Sequence, residues 1–332
     1  MQKVNDPPTS SVRFAAVVPS YNRSHMLVET LDALLRQRRA FDEIILVDDG
    51  STDDTAALMR AAYPQIRYVW QSNGHVQRAR NTGAAAASSE WIVFCDSDDL
   101  LEPDYLAQVE ALVGQRPELN LIYCNHCRFA ADGVVLTDKF ATAYPGYWDG
   151  MVDIGTAYLG SVPALAISAV RLQILFPTGL AIKRALFDTI GGFDERMAGN
   201  PCEDLEFTLR ALMQGTTGVL KPVLARVRQH DGPHVHTNDV IADRLCDNEI
   251  LQFSLDHHPG AKHAALRAAL LAQIERNCRA CLYDGFRRAD WRVVHRMAAE
   301  LQPAARTPKE WMKIAIARLP QPLRGSAHRL LR

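Results

Sequence analysis

The sequence predicts an α/β protein with a mainly parallel sheet covered by helices on both faces. Two observations predict it. Over the first 130 residues, short and nearly unbroken apolar runs alternate with segments of helical periodicity. Strands that are apolar on both sides belong to sheets buried on both faces. The polar residues that punctuate this pattern collect directly after the apolar runs, as "PSYNR", "DDGSTD" and "DSDD". In open parallel sheets ligands bind at those carboxyl ends, at a topological switch point.

The elements follow in order. "VRFAAVV" (12–18) is the first strand. "SHMLVETLDALLRQ" (24–37) is a helix with Met26, Leu27, Thr30, Leu31, Leu34 and Leu35 on one stripe and Ser24 as its N-cap. "EIILVDD" (43–49) is the second strand, and "TDDTAALMRAAY" opens a helix with capping residues. "IRYVWQ" (66–71) is the third strand, followed by the alanine-rich helix "VQRARNTGAAAASS". "EWIVFCD" (90–96) is the fourth, and "EPDYLAQVEALVGQ" is a helix with Pro103 in its first turn. "LNLIYCN" (119–125) is the fifth strand. Residues 132–180 are rich in Gly, Pro and aromatics ("YPGYWDG") and form an excursion over the sheet. "GLAIKRALFDTIGGFDE" is a strand, a short helix and a Gly-Gly stop. "PCEDLEFTLRALMQG" (201–215) is an amphipathic helix with Leu205, Leu209, Leu212 and Met213 on one side and Glu203 and Asp204 in its first turn, where the helix dipole favours acids. Beyond about residue 240 the pattern is helical, and no internal repeat is evident.

Bulk properties narrow the function. The chain of 332 residues is 48% hydrophobic and 23% charged, with net charge −1. That is a globular composition without the global field that draws nucleic acid. The polar start "MQKVNDPPTSS" lacks the apolar core of a secretion signal, and seven cysteines are an odd count. Both suit a reducing cytoplasm. No apolar run approaches the ~18–20 residues of a membrane span. Two C-x-x-C pairs, Cys124/Cys127 and Cys278/Cys281, are too far apart for a compact zinc ribbon and are expected to be buried thiols.

Chemistry is expected at the acidic strand ends. Asp48 and Asp49 end the second strand, followed by Gly50 for the turn and Ser51 or Asp53 for a cap. Asp96, Ser97, Asp98 and Asp99 end the fourth. Carboxylates this close repel and lose hydration, and a hard divalent cation with substrate phosphates offsets that. No Walker A sequence and no G-x-G-x-x-G after the first strand are present, which removes the main signals of P-loop hydrolysis and dinucleotide redox chemistry. The first strand ends in "VVPSYNR" without an acid, against a phosphoacceptor pocket.

Six motifs stand in order: "VVPSYNR", "ILVDDGSTDDT", "NGHVQRARNTGAA", "WIVFCDSDDLLEPDYL", "GLAIKRALFDTIGGFDE" and "CEDLEFTLRALMQG". On these, residues 12–235 resemble a family 2 glycosyltransferase of the GT-A, Rossmann-like fold. The resemblance implies an inverting, metal-dependent transfer of sugar from a nucleotide-diphospho-sugar, with UDP the expected carrier, to a hydroxyl of a glycan or lipid-linked acceptor. Surface polysaccharide or glycoconjugate synthesis is the expected setting. It implies that Pro19, Tyr21 and Asp49 meet the base, that Arg80 serves the nucleotide with Arg78 as helper, and that Asp96 faces ribose and sugar. Asp98 would ligate Mn2+ or Mg2+, and Asp99 would support it or cap a helix. Asp204 would be the general base, with Glu203 beside it. Arg228 and His230 match an R-x-H element over the diphosphate, with His230, or His234 four residues on, completing the metal shell. His25 and His75 would be surface or rim residues.

The domain organisation expected is a disordered tail (1–11), a nucleotide-sugar half (12–130), an acceptor and catalytic half (131–238) and a helical region (239–332). Tyr144, Tyr147 and Trp148 either stack on an acceptor sugar or pin an irregular segment. The stretch "EWMKIAIARLPQPLRGSAHRLLR" is apolar and basic, with no acid from Met312 onward. It reads as a docked helix, with contact to the inner face of a membrane as the other reading. A nucleotidylyltransferase of similar fold would need a Gly-rich basic loop after the first strand, which is absent. A catalytically silent nucleotide- or glycan-binding module would have lost the D-x-D or E-D acids, and both are present.

Overall fold

The computed structural model describes residues 12–130, 132–160, 163–200, 202–229 and 239–330. The chain divides into two compact units, Met1–Asp231 and Gly232–Arg332. The strands of the first unit are β1 (Phe14–Ser20), β2 (Glu43–Asp48), β3 (Arg67–Trp70), β4 (Trp91–Phe94), β5 (Leu100–Leu101), β6 (Leu121–Phe129), β7 (Val135–Asp138), β8 (Val152–Asp153), β9 (Ala157–Gly160), β10 (Leu180–Lys183) and β11 (Thr217–Arg228). Its helices are α1 (Ser24–Leu35), α2 (Thr55–Ala62), α3 (His75–Ala86), α4 (Tyr105–Gln115), α5 (Ala164–Arg171), α6 (Arg184–Ile190) and α7 (Glu203–Gln214). The second unit consists of α8 (Val240–His257), α9 (Ala264–Arg287), α10 (Trp291–Glu300), α11 (Pro308–Ala317) and α12 (Gln321–Leu330).

One mixed sheet runs β3-β2-β1-β4-β10-β6-β11-β9-β8, with β5 on β11 and β7 on β6. The expected parallel pairing holds across β3, β2, β1 and β4. Strand β10 then enters antiparallel between β4 and β6, and β11 is again parallel to β6. Every residue of β1 and β4 is buried, as strands covered on both faces require. The chain steps outward from β1 to β2 to β3, then returns to β4 on the other side of β1. That reversal is a switch point, and it parts the loops that follow β1 and β4.

Helix α1 buries Leu27, Thr30, Leu31 and Leu34, while Leu35 points outward. Its cap differs from expectation. Ser24 is the first helical residue rather than the cap, and its N–H donates to Asp53 Oδ2 at 2.9 Å. Asp53 Oδ1 also accepts from the Thr55 N–H and hydroxyl, at 3.1 and 2.6 Å. One carboxylate therefore serves the starts of α1 and α2. Burial opposes its charge, but these bonds outweigh that and hold its pKa at about 2. Ser51 caps nothing; its hydroxyl accepts from the Asn22 N–H at 2.9 Å. The loops after β1 and β2 are thereby locked together.

Residues 132–180 are built into the first unit. Strands β9 and β8 extend the sheet beyond β11. Tyr147 is fully buried, and the Ser168 hydroxyl donates to its carbonyl at 2.8 Å. Trp148 stacks on Tyr158 with ring centroids 4.5 Å apart. Tyr147 thus pins the segment from inside, so it is removed from any role on an acceptor sugar.

Among its described residues the second unit is built of helices. Its core joins Ile241, Cys278, Cys281, Leu282, Met297, Leu301 and Ile314. Cys278 and Cys281 are packing residues on α9, and Cys124 and Cys127 are buried on β6. Thr307 and Glu310 form a reciprocal capping box that starts α11. Among the described residues no helix is long and apolar enough to cross a membrane. The expected tail, residues 1–11, lies outside the described residues.

Candidate active site

The first part of the site lies at the ends of β1 and β2. Asp48 is buried and both its oxygens are used by the protein: Oδ1 accepts from the Ser51 N–H at 2.8 Å and Oδ2 from the Tyr68 hydroxyl at 2.6 Å. It builds the turn. Asp49 Oδ1 accepts from Gln71 Nε2 at 2.6 Å and from the Gly74 N–H at 2.9 Å. Gln71 is held in turn by the Thr82 hydroxyl at 2.6 Å. Gly50 between these features has φ +82, and a Cβ there would meet the Asn73 nitrogen at 2.9 Å. Only glycine suits that position. Pro19 is buried within β1, whereas Tyr21 is 49% exposed at the rim.

The second part follows β4. Asp99, predicted as support or a helix cap, is a buried junction, 2% exposed. Its Oδ2 accepts from the Thr178 hydroxyl at 2.6 Å and its Oδ1 from the Arg228 N–H at 2.9 Å. Thr178 Oγ1 also accepts from the Asp96 N–H at 3.1 Å, so one hydroxyl braces both ends of the turn. Burial first, then Asp98 and Asp96, push the Asp99 carboxyl well above its ordinary range, against the bonds from Thr178 and Arg228. Arg228 Nε donates to the Asp98 carbonyl at 3.0 Å, and its Nη2 to Glu29 at 2.6 Å. Arg23 Nη2 lies 3.9 Å from Asp98 Oδ2.

The third part centres on Arg80, 2% exposed. Its Nη2 donates to Asp96 Oδ1 at 2.8 Å and its Nη1 reaches Glu203 Oε1 at 3.5 Å. Three elements meet here: α3, the end of β4 and the start of α7. Gly83 lets α3 lie close on the sheet, because a Cβ there would sit 2.3 Å from Val17 Cγ1. Asn81 clamps Phe193 by donating to its carbonyl at 2.9 Å and accepting from its N–H at 2.8 Å. The guanidinium carbon of Arg80 then lies 5.0 Å from the Phe193 ring centroid.

Asp204 is the most perturbed acid of this group. Loss of hydration on burial raises it most, Glu203 and Asp96 add repulsion, and Arg80 and the Leu205 N–H pull back; the result is a pKa of about 7. Glu203 is raised for the same first reason, loss of hydration, with Arg80 opposing. A carboxyl near neutrality can accept a proton at physiological pH and hold it.

The donor set bears on the expected metal. Asp96 and Asp98 present hard carboxylate oxygens, and both side chains are partly exposed, at 22% and 18%. Among the described residues no group of three or more His, Cys, Asp and Glu is arranged to enclose an ion. Such a set fits a Mg2+- or Mn2+-like cation that keeps most of its shell for water and phosphate, and does not fit a closed structural site. His230 and His234 lie outside the described residues.

The structure therefore brings Arg80, Asp96, Glu203 and Asp204 into one cluster and Asp98, Asp99 and Arg228 into another. Tyr144 is half-buried, with the Arg171 guanidinium 4.2 Å from its ring centroid. Sequence reasoning missed Thr178, Gln71 and Phe193. Thr178 sits in "PTG" and carries no motif signal. Gln71 directly follows the third strand beside the Asp49 loop, which was a usable signal.

The chain is similar to known proteins in sequence and in fold. Residues 15–131 match the family described as glycosyl transferase family 2. An uncharacterised glycosyltransferase of Haemophilus influenzae is 27% identical over 203 residues, 60% of this chain and 61% of that protein. The validoxylamine A glucosyltransferase of Streptomyces hygroscopicus subsp. jinggangensis is 29% identical over 60% of this chain and 51% of that protein. The alignments thus span between half and two thirds of these relatives. Among solved structures, S. aureus TarS 1-349 in complex with UDP-GlcNAc superposes with TM-score 0.60 at 18% identity, covering 92% of this chain and 79% of that one. The same protein in complex with UDP gives a TM-score of 0.57 at 18% identity over 94% and 82%. Residues 15–131 thus carry the sequence pattern of glycosyl transferase family 2, and the chain shares its fold with the GT-A glycosyltransferase structures.

Proposed function

We propose that this chain transfers a sugar from a UDP-sugar to an acceptor hydroxyl with inversion at the anomeric carbon, and that Asp204 is the general base. One observation carries the reading. Asp204, with a pKa of about 7, stands at the start of α7 beside an arginine that also binds the end of the D-x-D strand.

The chemistry follows from the residues. As the acceptor oxygen forms its bond to the anomeric carbon, its proton passes to Asp204. The bond from that carbon to the diphosphate breaks, and its electron pair leaves with the UDP. A single base with direct displacement inverts the centre. Asp49, presented by the Gln71 and Gly74 bonds, reads the pyrimidine, with Pro19 and Tyr21 against the base. Asp96 faces ribose and sugar, with its carboxylate oriented by Arg80. Glu203 shares Arg80 and tunes Asp204 by repulsion. Asp98 would hold a divalent cation, with His230 or His234 as its partner ligand. Such a cation, when bound, supplies Lewis-acid stabilisation of the diphosphate. Arg228, fixed on the Asp98 carbonyl, adds positive charge on the same side.

UDP as the carrier is supported by the TarS complexes, which share the fold. A glycan or lipid-linked hydroxyl is the proposed acceptor, in polysaccharide or glycoconjugate synthesis.

A thermal-shift panel of sugar nucleotides with Mn2+ identifies the donor, because a ligand of the native state raises apparent stability. Transfer or donor hydrolysis is then measured for wild type and Asp204→Asn. The variant is expected to bind UDP normally and lose transfer by at least ~100-fold. Full transfer by Asp204→Asn would remove the base assignment.

A further inference from the structure

Helix α11 carries an apolar stripe on its solvent side. It buries Glu310, Ile314, Ile316 and Ala317 against the second unit's core. The opposite face of such a helix is ordinarily polar. Here Pro308, Trp311, Met312 and Ala315, spaced i, i+3, i+4 and i+7, all face solvent. Trp311 and Met312 are 43% and 42% exposed, and Leu323 in the first turn of α12 is 60% exposed.

Charge accompanies it. From residue 301 to 332 the chain has seven lysines and arginines and one acid, Glu310. Glu310 is buried and ion-paired with Arg279, so it does not offset the surface charge. Lys309 and Arg318 are both exposed, one near each end of α11. The Arg306 guanidinium lies 4.7 Å from the Trp311 ring centroid, which places a cation beside the exposed indole.

We propose that this face of α11, with the start of α12, docks on an anionic lipid surface. Exposed Trp, Met and Leu would enter the interfacial layer while Lys309 and Arg318 meet the headgroups. A second copy of the chain fits less well. A two-fold contact through this stripe would set the same cations against each other.

The test is vesicle flotation of the full chain. Phosphatidylcholine vesicles are compared with vesicles that also contain phosphatidylglycerol, at low and high salt. Co-flotation with the anionic vesicles is expected, weakened by salt, with little on the neutral ones. Lys309→Gln with Arg318→Gln should weaken binding about fivefold per cation removed. Trp311→Gln with Met312→Gln and Leu323→Gln should abolish it while the protein keeps its helical circular dichroism and a cooperative melt. Sedimentation of the same proteins without lipid provides the second arm. Absence of co-flotation, equal binding to neutral vesicles, or binding indifferent to both variants overturns the proposal. So does a concentration-dependent dimer that Met312→Gln dissolves, which would assign the face to a second copy.

Discussion

Arg80 Nη2 lies 2.8 Å from Asp96 Oδ1, and the same guanidinium reaches Glu203 at 3.5 Å, across 123 residues of sequence. This contact joins the strand that ends in the D-x-D to the helix that begins with Glu203 and Asp204. It also offsets three neighbouring acids, because its charge is felt by Asp96, Glu203 and Asp204.

Arg80→Met should therefore destabilise the fold by ~3–5 kcal/mol, the usual cost of leaving buried charge without its partner. Urea unfolding at neutral pH measures this. Lowering the pH should recover part of the loss, because protonated acids no longer need the arginine. Arg80→Lys should recover little, since an ammonium lacks the planar fork that serves two carboxylates. A neutral effect for Arg80→Met would show that the cluster contributes nothing to stability.

Asp204 makes activity and stability respond to pH in opposite senses. The base must be ionised, so kcat/KM should rise through a pKa of about 7 in the free enzyme. The folded-state pKa is raised above the ordinary 3.8, so the folded protein binds this proton more tightly than the unfolded chain. Its stabilising contribution is complete below that ordinary value and is lost as pH rises towards about 7. Asp204→Asn should accordingly melt higher than wild type at about pH 8, with the difference shrinking at about pH 5. A melting difference independent of pH would contradict the shift.

Asp98→Ala separates metal from nucleotide. Calorimetry of UDP with and without Mn2+ should show metal-enhanced binding in the wild type. In the variant the enhancement should disappear, while metal-free UDP binding stays within about twofold, because Asp98 is assigned to the metal and not to the nucleoside. Unchanged metal enhancement would reassign the ligand.

Thr178→Val tests the brace under the D-x-D turn. It removes the donor to Asp99 and the acceptor for the Asp96 N–H at nearly equal volume. A loss of ~1–3 kcal/mol is expected for buried polar groups left unsatisfied. Chemical denaturation reads the loss, and an effect within experimental error would show that water replaces the hydroxyl.

Much of the first half was legible because its signals are local. The apolar runs of β1, β2 and β4 announce buried strands, and the acids directly after them announce the loops. Asp49, Asp96 and Asp204 were singled out from motifs in order; Asp49 and Asp96 follow β2 and β4, and Asp204 stands in the first turn of α7. The details that failed were those in which a residue serves a distant partner. Ser24 looked like the cap of its own helix, but Asp53 from the next loop supplies the acceptor. Tyr147 looked available to a sugar, but it is buried, with Ser168 of α5, 21 residues on, donating to its carbonyl.

By itself the sequence determined the α/β class, the helical second unit, the ordered motifs and the acids that carry them, since periodicity and strand-end chemistry act over a few residues. Tertiary structure alone decided that β10 enters antiparallel between β4 and β6, that Thr178 braces Asp96 and Asp99, and that Arg80 stands between Asp96 and Glu203. Those outcomes depend on which distant segments pack together. The pKa of Asp204 depends on them as well, because desolvation and repulsion exist only once the chain has closed around the acid.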